Sequence, residues 1–194
     1  LELLGGYLVC VLLANCVQGL IVLPAMLVYY RVSVLKMARA VWPALMMAAV
    51  TKSSTATLPP TMRCIDEKTS ISKESSKVIL PLCCTVNMNG CAAFIYITVL
   101  FVSQINGVEF SFVDQLVWIA LSVIAAFGNA GVPMGCYFMA SAYLVNMNVP
   151  TDMMGLILPF YAFIDMVETP LNIWSDVSIL AVIDQKSHLQ SESA

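Results

Sequence analysis

Long apolar runs limit what this chain can fold into. They cover residues 3–30, 40–50, 78–106, 115–145 and 154–183. Runs of about 30 residues exceed the ~20 that a helix needs to cross a bilayer, so tilted or interrupted spans are expected. The chain is 60% hydrophobic and only 11% charged, whereas a soluble domain is about 25% charged. The sequence therefore predicts an all-α, multi-pass protein of the plasma or inner membrane.

Basic residues flank the one run that is too short to cross, residues 40–50. Arg31, Lys36 and Arg39 precede it, and Arg63, Lys68, Lys73 and Lys77 follow it. Basic loops favour the cytoplasmic side, so both clusters should lie on the same face. Residues 33–63 are therefore predicted to form a re-entrant hairpin, which turns at KSSTATLPP.

The same rule orders the rest of the chain, because no Lys or Arg occurs between Lys77 and Lys186. Residues 77–106 are predicted to carry the chain outward as a broken span. Residues 115–145, interrupted by GNAGVPMG, form a second hairpin that enters from outside, and 154–183 form the last span. Two oppositely entering hairpins are typical of inverted-repeat transporters. The predicted transport domain covers residues 1–184, and the polar tail 185–194 is cytoplasmic.

Acidic and polar residues form a stripe in the last span, FIDMVETPLNIWSDV. The stripe contains Asp165, Glu168, Thr169, Asn172 and Asp176, whose spacing places them on one face of an α-helix. A central Asp costs roughly 2.5–3.5 kcal/mol in a bilayer on insertion scales. The stripe should therefore face the protein interior, where protonation, Lys52, a bound cation or a cationic ligand group neutralises it.

A second polar segment, TVNMNG at residues 85–90, interrupts the third run. Asn and Gly are poor helix formers, so an unwound turn is predicted there. Its carbonyl and amide oxygens suit an alkali cation. The alternative is a kink packed against a neighbouring helix, because amides also join membrane helices.

The cysteines show no metal-binding or disulfide pattern. Seven occur, most of them inside apolar runs, with no CxxC or Cys/His spacing, and the only histidine is His188. The cysteines are expected to act as small buried hydrophobic residues. The sequence therefore predicts neither a cysteine metal site nor a disulfide.

Four linked motifs resemble one known family. TKSSTATLPPTMRC, TVNMNGCAAF, GNAGVPMG and DMVETPLNIWSDV occur in the order and spacing of the dicarboxylate/amino acid:cation symporters, the sodium:dicarboxylate or glutamate transporter family. The resemblance covers the family's C-terminal half, and the N-terminal scaffold half is expected to lie outside this chain. It implies a sodium-coupled symporter of elevator type that forms a homotrimer and carries an amino acid or a carboxylate.

The resemblance also implies the substrate contacts. Ser54 and Thr55 would bind the substrate α-carboxylate. Asp165 would hold the α-ammonium, assisted by Thr169 and Asn172.

It further implies the cation sites and the gate. Asn87, Asn172 and Asp176 would bind one Na⁺. Thr85 and carbonyls of the second hairpin would bind another. That hairpin is the gate, with Gly131, Pro133 and Met134 at its tip, and Val132 beside the substrate.

Several positions depart from the family pattern. Glu168 replaces the Arg that pairs with an acidic side chain, and Cys91 replaces a nearby Thr, so the substrate is predicted to be neutral or basic. Asn89 replaces the Asp of the NMDG motif, which predicts fewer coupled cations than in three-sodium members, or partial use of protons. Asn129 and Met134 replace the hydroxyl residue and Gly that are usual in the gate.

Three alternatives remain open from the sequence. The first is a dicarboxylate or glutamate symporter with an atypical site, and the second is a passive cation-conducting channel. The third is an intramembrane enzyme, for which Lys52 beside Ser53 and Ser54 is the only nucleophile–base suspicion. Adjacent residues of these types are more typical of an interfacial turn, so no enzymatic activity is predicted.

Overall fold

The computed structural model describes residues 2–129 and 131–192, and within these ranges it contains helices and no strand. The helices are α1 (Glu2–Val17), a π-helical turn (Gln18–Val22), α2 (Leu23–Tyr29), α3 (Val34–Thr51), α4 (Ser54–Lys68), α5 (Lys73–Val86), α6 (Asn89–Ile105), α7 (Phe112–Gly128), α8 (Gly135–Asn146) and α9 (Asp152–Glu192).

Four helical stretches are long and apolar enough to cross a membrane. They are Glu2–Tyr29, Val34–Thr51, Lys73–Ile105 and Asp152–Ser187. The all-helical, multi-pass membrane class predicted from the sequence is confirmed. The second stretch begins six residues before the apolar run 40–50, so by length and composition α3 is not too short to cross, contrary to the sequence prediction.

The first predicted span, residues 3–30, contains a π-helical turn that the sequence analysis did not foresee. This turn lies close to α9, where Trp174 Nε1 donates to the Gly19 carbonyl oxygen at 3.3 Å. A Cβ atom at Gly19 would lie 3.0 Å from Leu171. Glycine therefore permits this close contact between the two helices.

Helices α3 and α4 pack against each other and form the first helical hairpin. Only Lys52, which is left-handed at φ 52°, and Ser53 separate them. Ser53 caps α4 by accepting the Ala56 N–H at 3.2 Å. The predicted turn KSSTATLPP is therefore too long: Pro59 and Pro60 lie inside α4, since the serine cap starts the helix before them.

Helices α7 and α8 form the second hairpin, with residues 129–134 between them. Ser111 and Asp114 form a capping box that starts α7. Two tip residues have left-handed backbones, Gly131 at φ 67° and Met134 at φ 63°. The tip is therefore a sharp non-helical turn.

Two apolar cores meet along α9. One core packs around α6, α7 and α8 and includes Ile157 and Tyr161 of α9. The other packs around α3, α4 and α5 and includes Ile173 and Val177 of α9. The acidic stripe of α9 therefore lies where the two cores join.

Helix α9 runs to Glu192, beyond the predicted span end at residue 183. The segment predicted as a polar tail, 185–194, is helical over the part that the structure describes. Its described part, QKSHLQSE at residues 185–192, contains no Gly or Pro and several good helix formers, which explains the extension.

A substitution in the second core tests this packing. Ala44 is fully buried on α3, which packs against α4 and α9. We expect Ala44→Leu to lower the free energy of unfolding by about 1–3 kcal/mol, because added methylene groups overfill a packed core. Thermal unfolding in detergent measures this change. Ala120→Leu is the control, because Ala120 is exposed on α7. Equal melting temperatures for the two variants would contradict the packing described here.

Candidate substrate and cation site

The polar stripe of α9 is buried along its whole length. Asp165, Glu168, Thr169, Asn172 and Asp176 are all shielded from solvent, and Glu168 is completely buried. A buried carboxylate needs hydrogen bonds, a counter-charge or a proton. The partners that the structure supplies come from three breaks in the surrounding helices.

The first break lies between α5 and α6, within the predicted turn 85–90. Asn87 Nδ2 donates to Asp176 Oδ1 at 2.8 Å and to Ser175 Oγ at 2.9 Å. Asn89 Nδ2 donates to the same Ser175 oxygen at 2.6 Å. Both asparagines thus converge on two neighbouring residues of α9.

The start of α6 touches the middle of the stripe. The Gly90 N–H donates to Asn172 Oδ1 at 2.9 Å. A Cβ atom at Gly90 would lie 3.3 Å from Glu168 Cα and 3.0 Å from Asn15 Oδ1. Glycine therefore allows the helix start to approach α9 closely enough for this hydrogen bond.

The tips of the two hairpins form the second and third breaks, and they touch each other. Ser53 Oγ donates to the Gly131 carbonyl oxygen at 2.9 Å, and the Thr55 N–H donates to the same oxygen at 3.4 Å. A Cβ atom at Gly131 would lie only 2.8 Å from Thr55 Oγ1. The contact therefore requires glycine both for its backbone conformation and for its size.

The second tip also rests on the stripe. The Met134 N–H donates to Asp165 Oδ2 at 3.2 Å, and Thr169 Oγ1 donates to Asp165 Oδ1 at 3.2 Å. Each Asp165 oxygen thus has a donor, one of which belongs to the hairpin tip.

Glu168 differs from Asp165, because neither of its carboxylate oxygens has a hydrogen-bond partner within the described residues. One of its oxygens and the Sγ atoms of Cys91 and Cys136 lie within 4.8 Å of one another. Asn129 Nδ2 donates to both sulfur atoms, at 3.0 and 3.2 Å. A buried carboxyl group, an amide and two sulfur atoms therefore share one region.

Cys91 and Cys136 form a disulfide with a Cα–Cα distance of 5.5 Å. The expectation that the chain has no disulfide was therefore wrong. The two residues lie 45 positions apart, and nothing in their sequence spacing indicates that α6 and α8 place them side by side.

Some predicted site residues lie away from this cluster. Val132 and Pro133 are exposed on the second tip. Thr85 is exposed too, and its hydroxyl donates to the Leu82 carbonyl oxygen within its own helix at 2.8 Å. Ser54 is buried at the first tip, whereas Thr55 is exposed beside Gly131.

Sequence reasoning missed two residues of the cluster, Cys136 and Ser175. It named Ser53 only beside Lys52 in the enzyme alternative, and Asn129 only as a departure in the gate motif. Ser175 could have been found, because it lies next to Asp176 inside an apolar span. The contacts of Ser53, Asn129 and Cys136 became visible only once the elements that carry them were packed together.

These features define a multi-pass helical membrane protein with a buried polar site at the meeting point of two hairpin tips and a broken helix. The sequence pattern of the sodium:dicarboxylate symporter family matches residues 1–186. The chain belongs to this family.

Curated relatives are similar over most of the chain. The neutral amino acid transporter B(0) of Mus musculus is 35% identical over 89% of this chain and 32% of its own length. The excitatory amino acid transporter 5 of Mus musculus is 32% identical over 96% of this chain and 34% of its own length. The chain thus spans about a third of the length of these relatives, which are named as transporters and not as enzymes.

The contact between the tips can be tested at Gly131. We expect Gly131→Ala to loosen the second tip, because a left-handed backbone costs an L-residue about 1–2 kcal/mol and the added methyl group meets Thr55. Amide hydrogen exchange over residues 131–135 should become about 5–30-fold faster. Gly5→Ala is the control, since a Cβ there meets nothing within 4 Å. Unchanged exchange in Gly131→Ala would contradict the contact.

Proposed function

We propose that this chain forms the transport domain of a Na⁺-coupled amino acid symporter. The observation that carries the proposal is the buried stripe of α9, with carboxylates at Asp165, Glu168 and Asp176 in a segment without basic residues. Intramembrane acids generally mark ion or substrate pathways. The names of the relatives, which include a neutral amino acid transporter and excitatory amino acid transporters, support the same class.

The substrate backbone would bind between the tips and α9. The N-terminus of α4, at Ser54 and Thr55, offers backbone N–H groups and hydroxyls to an α-carboxylate, as helix N-termini do for anions generally. Asp165 would take the α-ammonium with help from Thr169 and Asn172. The Met134 N–H now donates to Asp165, so an incoming ammonium replaces a weaker donor of the tip.

One Na⁺ would bind where α5 and α6 meet α9. Asn87, Asn172 and Asp176 offer hard oxygen ligands, and Asp176 supplies the negative charge. Hydrogen bonds already hold Asn87 on Asp176 and Asn172 on the Gly90 N–H, which supports a site at this junction. Asn89 is tied to Ser175 and brings no charge, which supports fewer coupled cations than in three-sodium members, or partial use of protons. Because Thr85 is exposed, a second Na⁺ site there would depend on carbonyl oxygens of the second hairpin.

The substrate side chain would face Glu168 and Cys91. A carboxylate at Glu168 repels an acidic side chain in a site of low dielectric constant. Its two oxygens have no partner within the described residues, so they are available to a cationic or hydrogen-bonding side chain. These contacts favour a neutral or basic amino acid over glutamate, aspartate or a dicarboxylate.

The movement that delivers the substrate is part of the proposal. The hairpins α3–α4 and α7–α8 would enter the membrane from opposite faces, with the second acting as the gate. The domain would move as an elevator within a homotrimer.

The coupling is tested with the full-length protein that contains this chain. We expect one or more neutral or basic amino acids to raise its melting temperature in Na⁺ but not in choline, because a ligand at about 100 times its Kd stabilises a protein by about 2.7 kcal/mol. In liposomes the same amino acid should accumulate against its gradient when Na⁺ flows inward.

Asp176→Asn should raise the Na⁺ concentration for half-maximal stabilisation at least tenfold, because it removes the charged ligand. Asp152→Asn is the matched control, since Asp152 is exposed at the start of the same helix. Amino acid equilibration without accumulation would favour a passive pore instead. Equal Na⁺ dependence in Asp176→Asn and Asp152→Asn would contradict the cation site.

The side-chain contact is tested at Glu168. Hydrogen bonds to charged groups contribute about 1.5–3 kcal/mol, so Glu168→Gln should weaken binding of a basic amino acid about 10–100-fold. The same variant should bind neutral amino acids as tightly as the unmodified protein does. Glu168→Arg should create affinity for aspartate or glutamate. The control is Glu109→Arg, in an exposed loop. Competition against labelled substrate measures the affinities of all three variants. Aspartate binding by the unmodified protein would refute this assignment.

A further inference from the structure

The disulfide between Cys91 and Cys136 connects two elements that must separate if the second hairpin opens. Cys91 lies in the first turn of α6, beside the helix break, and Cys136 lies in the first turn of α8, at the end of the hairpin tip. Both side chains are buried. The bond therefore ties the end of the tip to the start of α6.

The fastened tip covers the substrate-binding carboxylates. Met134, two residues before Cys136, holds its N–H on Asp165. The two sulfur atoms are neighbours of the Glu168 carboxylate. With the disulfide intact, the tip cannot move far from either acidic residue, because Cα atoms joined by a disulfide stay within about 7 Å of each other.

The other cysteines of the described chain do not form such a link. Cys10 and Cys16 are free and exposed on α1. Cys64, Cys83 and Cys84 are free and buried. Within the described residues, the disulfide that joins two helices is thus the one beside the tip of the second hairpin.

We propose that Cys91 and Cys136 are a thiol modification site that controls the gate: the disulfide holds the second hairpin closed, and only the dithiol state transports. The inference rests on the proposed function of that hairpin as the gate. The predicted entry of this hairpin from outside is consistent with it, since disulfides form and persist in oxidising compartments.

The reaction needs a two-electron oxidant, for which we propose a peroxide. One cysteine thiolate attacks an oxygen of hydrogen peroxide, which gives a sulfenic acid and hydroxide. The second thiol attacks the sulfenic sulfur, the S–S bond forms, and water leaves. Overall, two thiols and one peroxide give one disulfide and two waters. A dithiol reverses the modification by exchange and leaves as a cyclic disulfide.

Uptake into liposomes tests the effect on transport, with the full-length protein and a Na⁺ gradient. The probe is an equimolar mixture of tritiated L-alanine, L-glutamine and L-lysine. We expect hydrogen peroxide to lower the initial rate at least tenfold and dithiothreitol to restore it. In Cys136→Ala, or in Cys136→Ser if the first variant does not fold, the ratio of treated to untreated rates should stay near one. Cys64→Ala is the matched control and should respond like the unmodified protein.

Two measurements apply whether or not the liposomes accumulate the probe. Mass spectrometry of peptides after alkylation should find the 91–136 disulfide in oxidised protein. Amide hydrogen exchange over residues 131–136 should be at least fivefold slower in the oxidised than in the reduced state. Absence of the linked peptide, equal exchange in both states, or equal inhibition of Cys136→Ala would overturn the proposal. Slowed exchange without any uptake by reduced protein would instead contradict the proposed transport function and leave the closing of the tip established.

Discussion

The buried carboxylates of α9 are the constraint on which the rest of the structure depends. Asp165, Glu168 and Asp176 lie inside an apolar helix, where lipid cannot solvate them. They persist only if other elements bring polar groups to meet them. The fold supplies these groups by interrupting helices beside α9.

Each interruption exposes backbone or side-chain groups that an intact helix would hide. The break at Asn87 and Met88 directs two amides at α9. The tip before α8 gives a backbone N–H to Asp165. Non-helical backbone at membrane depth survives only where protein or water covers it. The breaks and the carboxylates of Asp165 and Asp176 therefore stabilise each other, whereas Glu168 receives no hydrogen bond within the described residues.

The position of α9 between two cores makes this arrangement suitable for a moving part. The core around α6, α7 and α8 is separate from the core around α3, α4 and α5. The hairpin tips meet across the boundary through a few hydrogen bonds to Gly131. The few contacts between the tips are consistent with the proposed gate, and the disulfide lies beside them.

The sequence alone determined the helical membrane class and the polar stripe of α9, because the length of apolar runs and the 3.6-residue period are local properties. It also indicated the break at residues 85–90, since Asn and Gly disfavour helix locally. Only the tertiary structure joined Cys91 to Cys136 and Ser53 to Gly131, because spacing along the chain says nothing about the distance between residues 45 or 78 positions apart. It also left Val132 and Thr85 exposed, since the direction of a side chain at a turn depends on how the neighbouring helices pack.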